Sequence, residues 1–182
     1  MPLTISIPGC ELFDNDTGKF TDLPPTTLVL EHSLISISKW EAIWKIPWLR
    51  DDVDKTNDQL YSYIQCMTIK GDASDAVIRN IKTDQYMEIL DYIRDPMTAT
   101  TIKTQLTNNT SSQYVTSELI YAWMVQYRIP SEYQKWHLNR LIMLINILNE
   151  INKPKEKKSE AELIRDYAKL NEINKNRFHT KG

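Results

Sequence analysis

Glycine is scarce in this chain, with four residues in 182 against eight prolines. So few glycines leave little room for the left-handed turns of an all-β architecture, or for a glycine-lined phosphate cradle. Cysteine is scarcer still. Cys10 and Cys66 lie far apart with no CxxC, so neither a disulfide framework nor a thiolate metal site is implied. His32, His137 and His179 show no HxxxH or HExxH spacing, which leaves a transition-metal site without support. GxSxG, GxGxxG and the phosphate-loop motif are also missing, so acyl transfer and nucleotide binding lose their usual anchors. No cofactor and no enzymatic activity are expected.

Two acidic stretches imitate a calcium loop and fail. Counting from Asp14 puts Gly18 one place early and Pro25 at the twelfth position, where a bidentate Glu is needed; counting from Asp52 puts Tyr63 there. No stretch reaches eighteen uninterrupted apolar residues, and the N-terminus lacks a basic segment followed by an apolar one. Neither a membrane span nor a secretory leader is expected. The chain reads as cytosolic with reduced thiols.

What is present is ordinary globular material, 41% hydrophobic and 25% charged, which argues against general disorder. The net charge of −2 conceals an asymmetry. Residues 1–152 carry 13 Lys and Arg against 19 Asp and Glu, whereas residues 153–182 carry nine against five. A body of −6 is thus followed by a tail of +4. Sign alone does not choose between nucleic acid, an acidic partner and the chain's own body as the tail's target.

The first thirty residues read as β structure. Leu3-Thr4-Ile5-Ser6-Ile7 alternates apolar and polar, Asp14 to Gly18 is a turn signal between two short runs, and Thr26 to Leu30 is rich in β-formers. From Ser38 the text becomes helical. Ser38/Glu41, Thr56/Gln59, Ser131/Gln134 and Ser159/Glu162 all match the capping box, opening helices expected over 39–46, 57–69, 132–151 and 160–176. Thr83 and Thr116 are expected to cap two more, ending near Arg94 and Arg128. Pro47, Pro96, Pro130 and Pro154 mark stops, and Met97 to Tyr114 reads as a long polar loop with a short strand possible over residues 100–106.

The expected fold is therefore mainly α: a helical domain with a small N-terminal antiparallel β element, spanning 1–152, and a basic linker with an appended C-terminal helix, 153–182. The helices over 117–128 and 132–151 are expected to pair as an antiparallel hairpin at the centre of the core, because the second is apolar around most of its circumference.

Aromatic residues supply the candidate sites. Trp40, Trp44 and Trp48 recur every four residues, with Trp40 and Trp44 on one helical face. This ladder either packs the first helix onto the core or forms a partner-binding face, since Trp dominates interface energetics where one ring face stays accessible. Single-stranded nucleic acid is disfavoured by Asp51, Asp52 and Asp54 nearby. A second cluster, Gln134-Lys135-Trp136-His137-Leu138-Asn139-Arg140, places Trp136, Asn139 and Arg140 on one helix face. That face either recognises a partner or bonds to neighbouring segments of the chain. In the last helix a narrow stripe of Leu163, Ile164, Tyr167, Leu170 and Ile173 points to docking on the same chain or on a neighbour. Homo-oligomerisation is one of the associations open to the chain as a whole.

Four blocks carry a resemblance: Leu30-Glu31-His32-Ser33-Leu34, Ser38-Lys39-Trp40-Glu41, Cys66-Met67-Thr68 and Lys135-Trp136-His137-Leu138-Asn139-Arg140-Leu141. In that order they resemble small proteins encoded among the tail genes of siphovirus-type bacteriophages, usually described as tail assembly chaperones or simply as uncharacterised tail proteins. The similarity runs from about residue 27 to 149. It implies a non-enzymatic role in the host cytoplasm, keeping the tape-measure protein soluble while it acquires tail-tube subunits, and it brings no catalytic residues. A structural virion component of the tail or head–tail connector is the alternative, and a small nucleic-acid-binding regulator a more distant one.

Overall fold

The computed structural model describes every residue except 15–17, 51, 53, 101–113, 154–159 and 179–182. Its chain divides into two compact units, Met1–Glu150 and Ile151–Gly182. The fold is mainly α with a small N-terminal β element and a C-terminal helix, as the periodicity predicts.

In the first unit, β1 (Leu3–Ile7) pairs antiparallel with β4 (Thr26–Leu30), Leu3 opposite Leu30 and Ile7 opposite Thr26. Alternation does the folding here. Ile5, Ile7, Leu28 and Leu30 all point to one face and are buried, while their neighbours stay at least partly accessible. Between them β2 (Cys10–Asp14) and β3 (Lys19–Leu23) form a separate antiparallel hairpin around the predicted turn, whose residues 15–17 lie outside the described chain.

Helix α1 (Leu34–Trp44) lies next in the chain and buries Leu34, Ile37 and Trp40. It packs on α2 (Asn57–Met67), which buries Tyr63, Ile64 and Met67, and on α5 (Ser117–Gln126), which buries Ile120 and Met124. The short α3 (Asp75–Arg79), α4 (Thr83–Arg94), a 3-10 turn (Ser131–Lys135) and α6 (Leu138–Asn152) complete the unit. The second unit contains α7 (Glu160–Phe178).

Several sequence expectations need correction. Ser38/Glu41 is not a capping box: α1 begins five residues earlier than expected, with Ser33 at its N-cap, so Ser38 is interior. Ser131/Gln134 opens only the 3-10 turn, and the following helix starts at Leu138, once His137 has formed a bridge with Ser33. The Thr56/Gln59 box is present, with the Gln59 N–H donating to Thr56 Oγ1 at 3.3 Å and the Thr56 N–H donating to Gln59 Oε1 at 2.9 Å. Ser159/Glu162 starts on a residue outside the described chain, as does most of the predicted loop over 97–114 and its short strand. Thr83 is the first residue of α4 rather than its cap, Lys82 taking that place with its N–H donating to Gln85 Oε1 at 3.1 Å.

The expected central hairpin of helices is also replaced. Helix α5, which buries Ile120 and Met124, packs on α1, and of α6 only Leu138, Leu141, Ile145 and Asn146 are buried. The core combines one face of the sheet, through Ile5, Ile7, Leu28 and Leu30, with the buried sides of α1, α2 and α5, whereas Ile151 at the end of α6 is largely exposed. Two elements went unread, the short helix α3 and a strand. Strand β5 (Thr68–Lys70) follows α2 without a break and adds to β4, with a register shift between Val29 and Leu30. Gly71 closes that strand at φ +109°, and a Cβ there would strike the Thr27 carbonyl, so the approach requires glycine. Among the described residues no helix is long and apolar enough to cross a membrane.

Candidate functional site

Three of the four blocks that carry the resemblance, Leu30–Leu34, Cys66–Thr68 and Lys135–Leu141, meet at one place. Leaving β4, the Glu31 N–H donates to the Met67 carbonyl at 2.8 Å, and the His32 carbonyl accepts the Leu138 N–H at 2.9 Å. Ser33 bridges antiparallel to His137, and Ser36 Oγ donates back to the Glu31 carbonyl at 2.6 Å, closing the entry into α1. Block Lys135–Leu141 is thereby stitched to block Leu30–Leu34, 105 residues apart when His32 and His137 are compared.

Inside this junction two imidazoles stand edge to face, ring centroids 4.9 Å apart. His32 Nδ1 and the Tyr63 hydroxyl share a hydrogen bond of 2.5 Å, and the His32 backbone N–H donates to the Tyr92 hydroxyl at 3.4 Å. His137 Nε2 lies 2.9 Å from the Tyr92 carbonyl, which can only accept, so Nε2 carries the proton and Nδ1 is left buried without a partner. Burial, with His137 beside it, holds His32 down to about 3; burial likewise lowers His137, partly opposed by the Tyr92 carbonyl. Burial also pushes the Tyr63 and Tyr92 hydroxyls up. Near neutral pH these are therefore uncharged groups in a dry polar lock. An imidazole 1% exposed and held near 3 is poorly placed to exchange protons with a substrate. Cys66 is buried with its thiol pushed up, the signature of an unreactive cysteine.

A second tie involves Glu41. Its Oε1 accepts the Trp48 N–H at 2.7 Å and its Oε2 accepts the Ser117 N–H at 2.8 Å, so one buried carboxylate holds the chain after α1 against the first residue of α5. The capping-box reading assigned this same residue a purely local role.

The tryptophan ladder divides by burial. Trp40 has no accessible surface and donates its Nε1–H to the Gln59 carbonyl at 2.8 Å; Trp44 is half-buried and donates to Ser62 Oγ at 3.0 Å. Trp48 stacks on Tyr63 at 3.5 Å and meets Trp40 edge to face at 5.0 Å. As a partner surface, Trp40 and Trp48 are corrected to core: they glue α1 to α2 and leave no ring face for another protein.

The second cluster behaves differently. Asn139 Nδ2 donates to the Ile93 and Asp95 carbonyls at 2.9 and 2.8 Å, so it caps the C-terminal end of α4 and is spoken for. Trp136, C-terminal to the 3-10 turn and half-buried, stacks on Tyr133 at 3.8 Å and 16°. The exposed Arg140 guanidinium lies 4.3 Å above the Trp136 ring, one turn into α6. Trp136 precedes the helix rather than belonging to it, yet it still meets Arg140. The adjoining His137 and Leu138 are buried, so the stack is anchored in the core on one side and open on the other.

Tyr133 is the residue that sequence reasoning missed, although its i, i+3 spacing to Trp136 would bring the two together on the helix expected there. Among the described residues no group of three or more His, Cys, Asp or Glu side chains converges to hold a metal ion. A shallow cleft between α2 and α3 is lined by Asp58, Tyr61, Ser62, Gln65, Asp75 and Arg79, whose Arg79–Asp58 and Gln65–Asp75 pairs, at 3.2 and 2.7 Å, already bond to each other. No family model, curated protein or solved structure matches the chain.

Proposed function

We propose that this chain is a non-enzymatic protein-binding factor in siphovirus-type tail morphogenesis, a tail assembly chaperone whose clients are the tape-measure or tail-tube proteins. The observation that carries the reading is the Tyr133–Trp136–Arg140 stack. Its residues sit at the edge of the segment with the strongest family resemblance, half-accessible and already ordered by stacking at 3.8 Å and a guanidinium contact at 4.3 Å. Trp, Tyr and Arg are the residues that dominate protein-binding energetics, and holding them in place beforehand reduces the entropy lost on association. The buried histidine lock supports the same reading, because it fixes the segment bearing the stack to the centre of the fold.

Infected cells carrying a tagged copy of the chain, lysed before particle release, provide the test. Tape-measure or tail-tube protein is expected to co-purify with it, and mature particles are expected to lack it. Stoichiometric recovery of the chain from purified particles would instead establish a structural virion component.

A further inference from the structure

The three members of the aromatic stack are layered from the core outward. Tyr133 packs against the buried core, Trp136 lies parallel on it at 3.8 Å and 16°, and the Arg140 guanidinium sits 4.3 Å from the Trp136 ring centre. A parallel ring at 3.8 Å fills one face of the indole, so the guanidinium covers the other. No indole face is left for a further ring. What remains to offer is a set of hydrogen-bond donors. The Arg140 N–H groups, the Trp136 indole N–H and the Tyr133 hydroxyl meet no acceptor among the described residues, and none of them is sealed from solvent.

The neighbouring acids do not supply one. Asp95, whose backbone carbonyl Asn139 engages, accepts the Met97 N–H at 2.7 Å through Oδ1, Glu31 lies within the field of Lys135, and Glu132 forms no ion pair. Residues 119–149 carry Arg128, Lys135 and Arg140 against Glu132 alone, a net +2, whereas residues 1–118 carry 10 Lys and Arg against 17 Asp and Glu, a net −7. A guanidinium held flat on a ring keeps its N–H edges free in a fixed plane, the geometry that takes a carboxylate through two parallel hydrogen bonds. A nucleic-acid strand would bring many charges toward the acidic remainder of the body and find no indole face for its bases. A single carboxylate answers chiefly to the donors beside it, since more distant charges are screened. We infer that the stack receives an acidic segment of a protein client, an Asp or Glu carboxylate seated on the N–H edge of Arg140 with the Trp136 indole N–H beside it. This rests on the stack being the client-binding surface and adds what that surface selects.

The test isolates the tagged full chain from infected cells, with nuclease added to the lysate, and compares wild type with Arg140→Gln and Arg140→Glu. Retained tail proteins are quantified by mass spectrometry, and each variant's urea midpoint is recorded. Wild type is expected to keep tape-measure or tail-tube protein after nuclease, Arg140→Gln about tenfold less, and Arg140→Glu less again, because it sets like charges together. In Arg140→Lys a carbodiimide is expected to join the amine at position 140 to an Asp or Glu carboxylate of the retained protein, forming an amide with loss of water. Where wild type keeps its client, full retention or equal losses in the two folded variants would overturn the carboxylate and leave the client-binding surface standing. A crosslink from position 140 only to residues of this chain would do the same. Retention abolished by nuclease would put nucleic acid on the stack and overturn the inference. A wild-type chain that keeps no tail protein would defeat the client-binding surface and the inference together.

Discussion

Trp40, with Trp44 and Trp48, and Trp136, with Tyr133 and Arg140, are two aromatic groups of similar composition with different fates. In the first group Trp40 and Trp48 are buried among α1, α2 and the Tyr63 ring while Trp44 is half-buried, and Trp40 and Trp44 give their indole N–H groups to the Gln59 carbonyl and the Ser62 hydroxyl. The second group rests on the core through its neighbours His137 and Leu138, but its own rings remain half-accessible with a cation over them. Aromatic density thus marks packing in one place and a presentable surface in the other. What separates them is the supply of apolar neighbours: α1 packs on α2 and α5 with Trp40 and Trp48 inside the buried core, whereas Tyr133 and Trp136 stay half-buried.

Truncation distinguishes the two groups most strongly. Trp40→Ala is expected to lower unfolding free energy by about 4 kcal/mol, a large aromatic lost from a closed core, as read from the urea midpoint of the purified chain. Should Trp40→Ala cost no more than a surface change, the assignment of the ladder to the core would be wrong. Glu41→Ala comes next: it orphans the buried N–H groups of Trp48 and Ser117 and is expected to cost about 2 kcal/mol. Glu41→Gln, which retains one carbonyl acceptor, is expected to recover part of that loss.

Acid probes the polar lock beneath both groups. Folded His32 is held at about 3, and His137 is lowered in the same direction, while the unfolded imidazoles take up protons near their ordinary value of about 6.5. Stability is therefore complete above that value and is lost as pH falls, because the unfolded chain binds more protons. Between pH 7 and 5.5, above the carboxylate range, the loss is expected to steepen toward about 1.4 kcal/mol per pH unit for each fully shifted imidazole. A urea midpoint that stays level across that window would mean the imidazoles are protonated in the fold. Trp136→Ala has the smallest expected effect on stability, about 1 kcal/mol or less, from one half-buried ring and its stacking.

Legibility followed the range of the interactions. The Thr56/Gln59 box and the strands Leu3–Ile7 and Thr26–Leu30 were readable because their determinants lie within a few residues. Ser38/Glu41 has the same residue types at the same spacing and failed, since Glu41 is engaged by backbone groups seven and 76 residues away. His32 and His137 carry no local motif and meet only through the junction of β4, α1 and α6. Asn139 and Arg140 were both legible as a polar face, but nothing local reveals that the carbonyls after Tyr92 claim the first and leave the second free to cover Trp136. Strand β5 and helix α3, three and five residues long, are too short for either periodicity to register.

The central claim is that the Tyr133–Trp136–Arg140 stack binds a tail protein while the Trp40 group only holds the fold. The most direct measurement compares the wild-type chain with Trp136→Ala/Arg140→Ala in infected cells, scoring tape-measure and tail-tube proteins retained on each, with the variant's urea midpoint recorded alongside. The expected result is a fold stable to within about 1 kcal/mol and a client yield reduced about tenfold or more. Retention of the client at the wild-type level by this folded variant would contradict the claim.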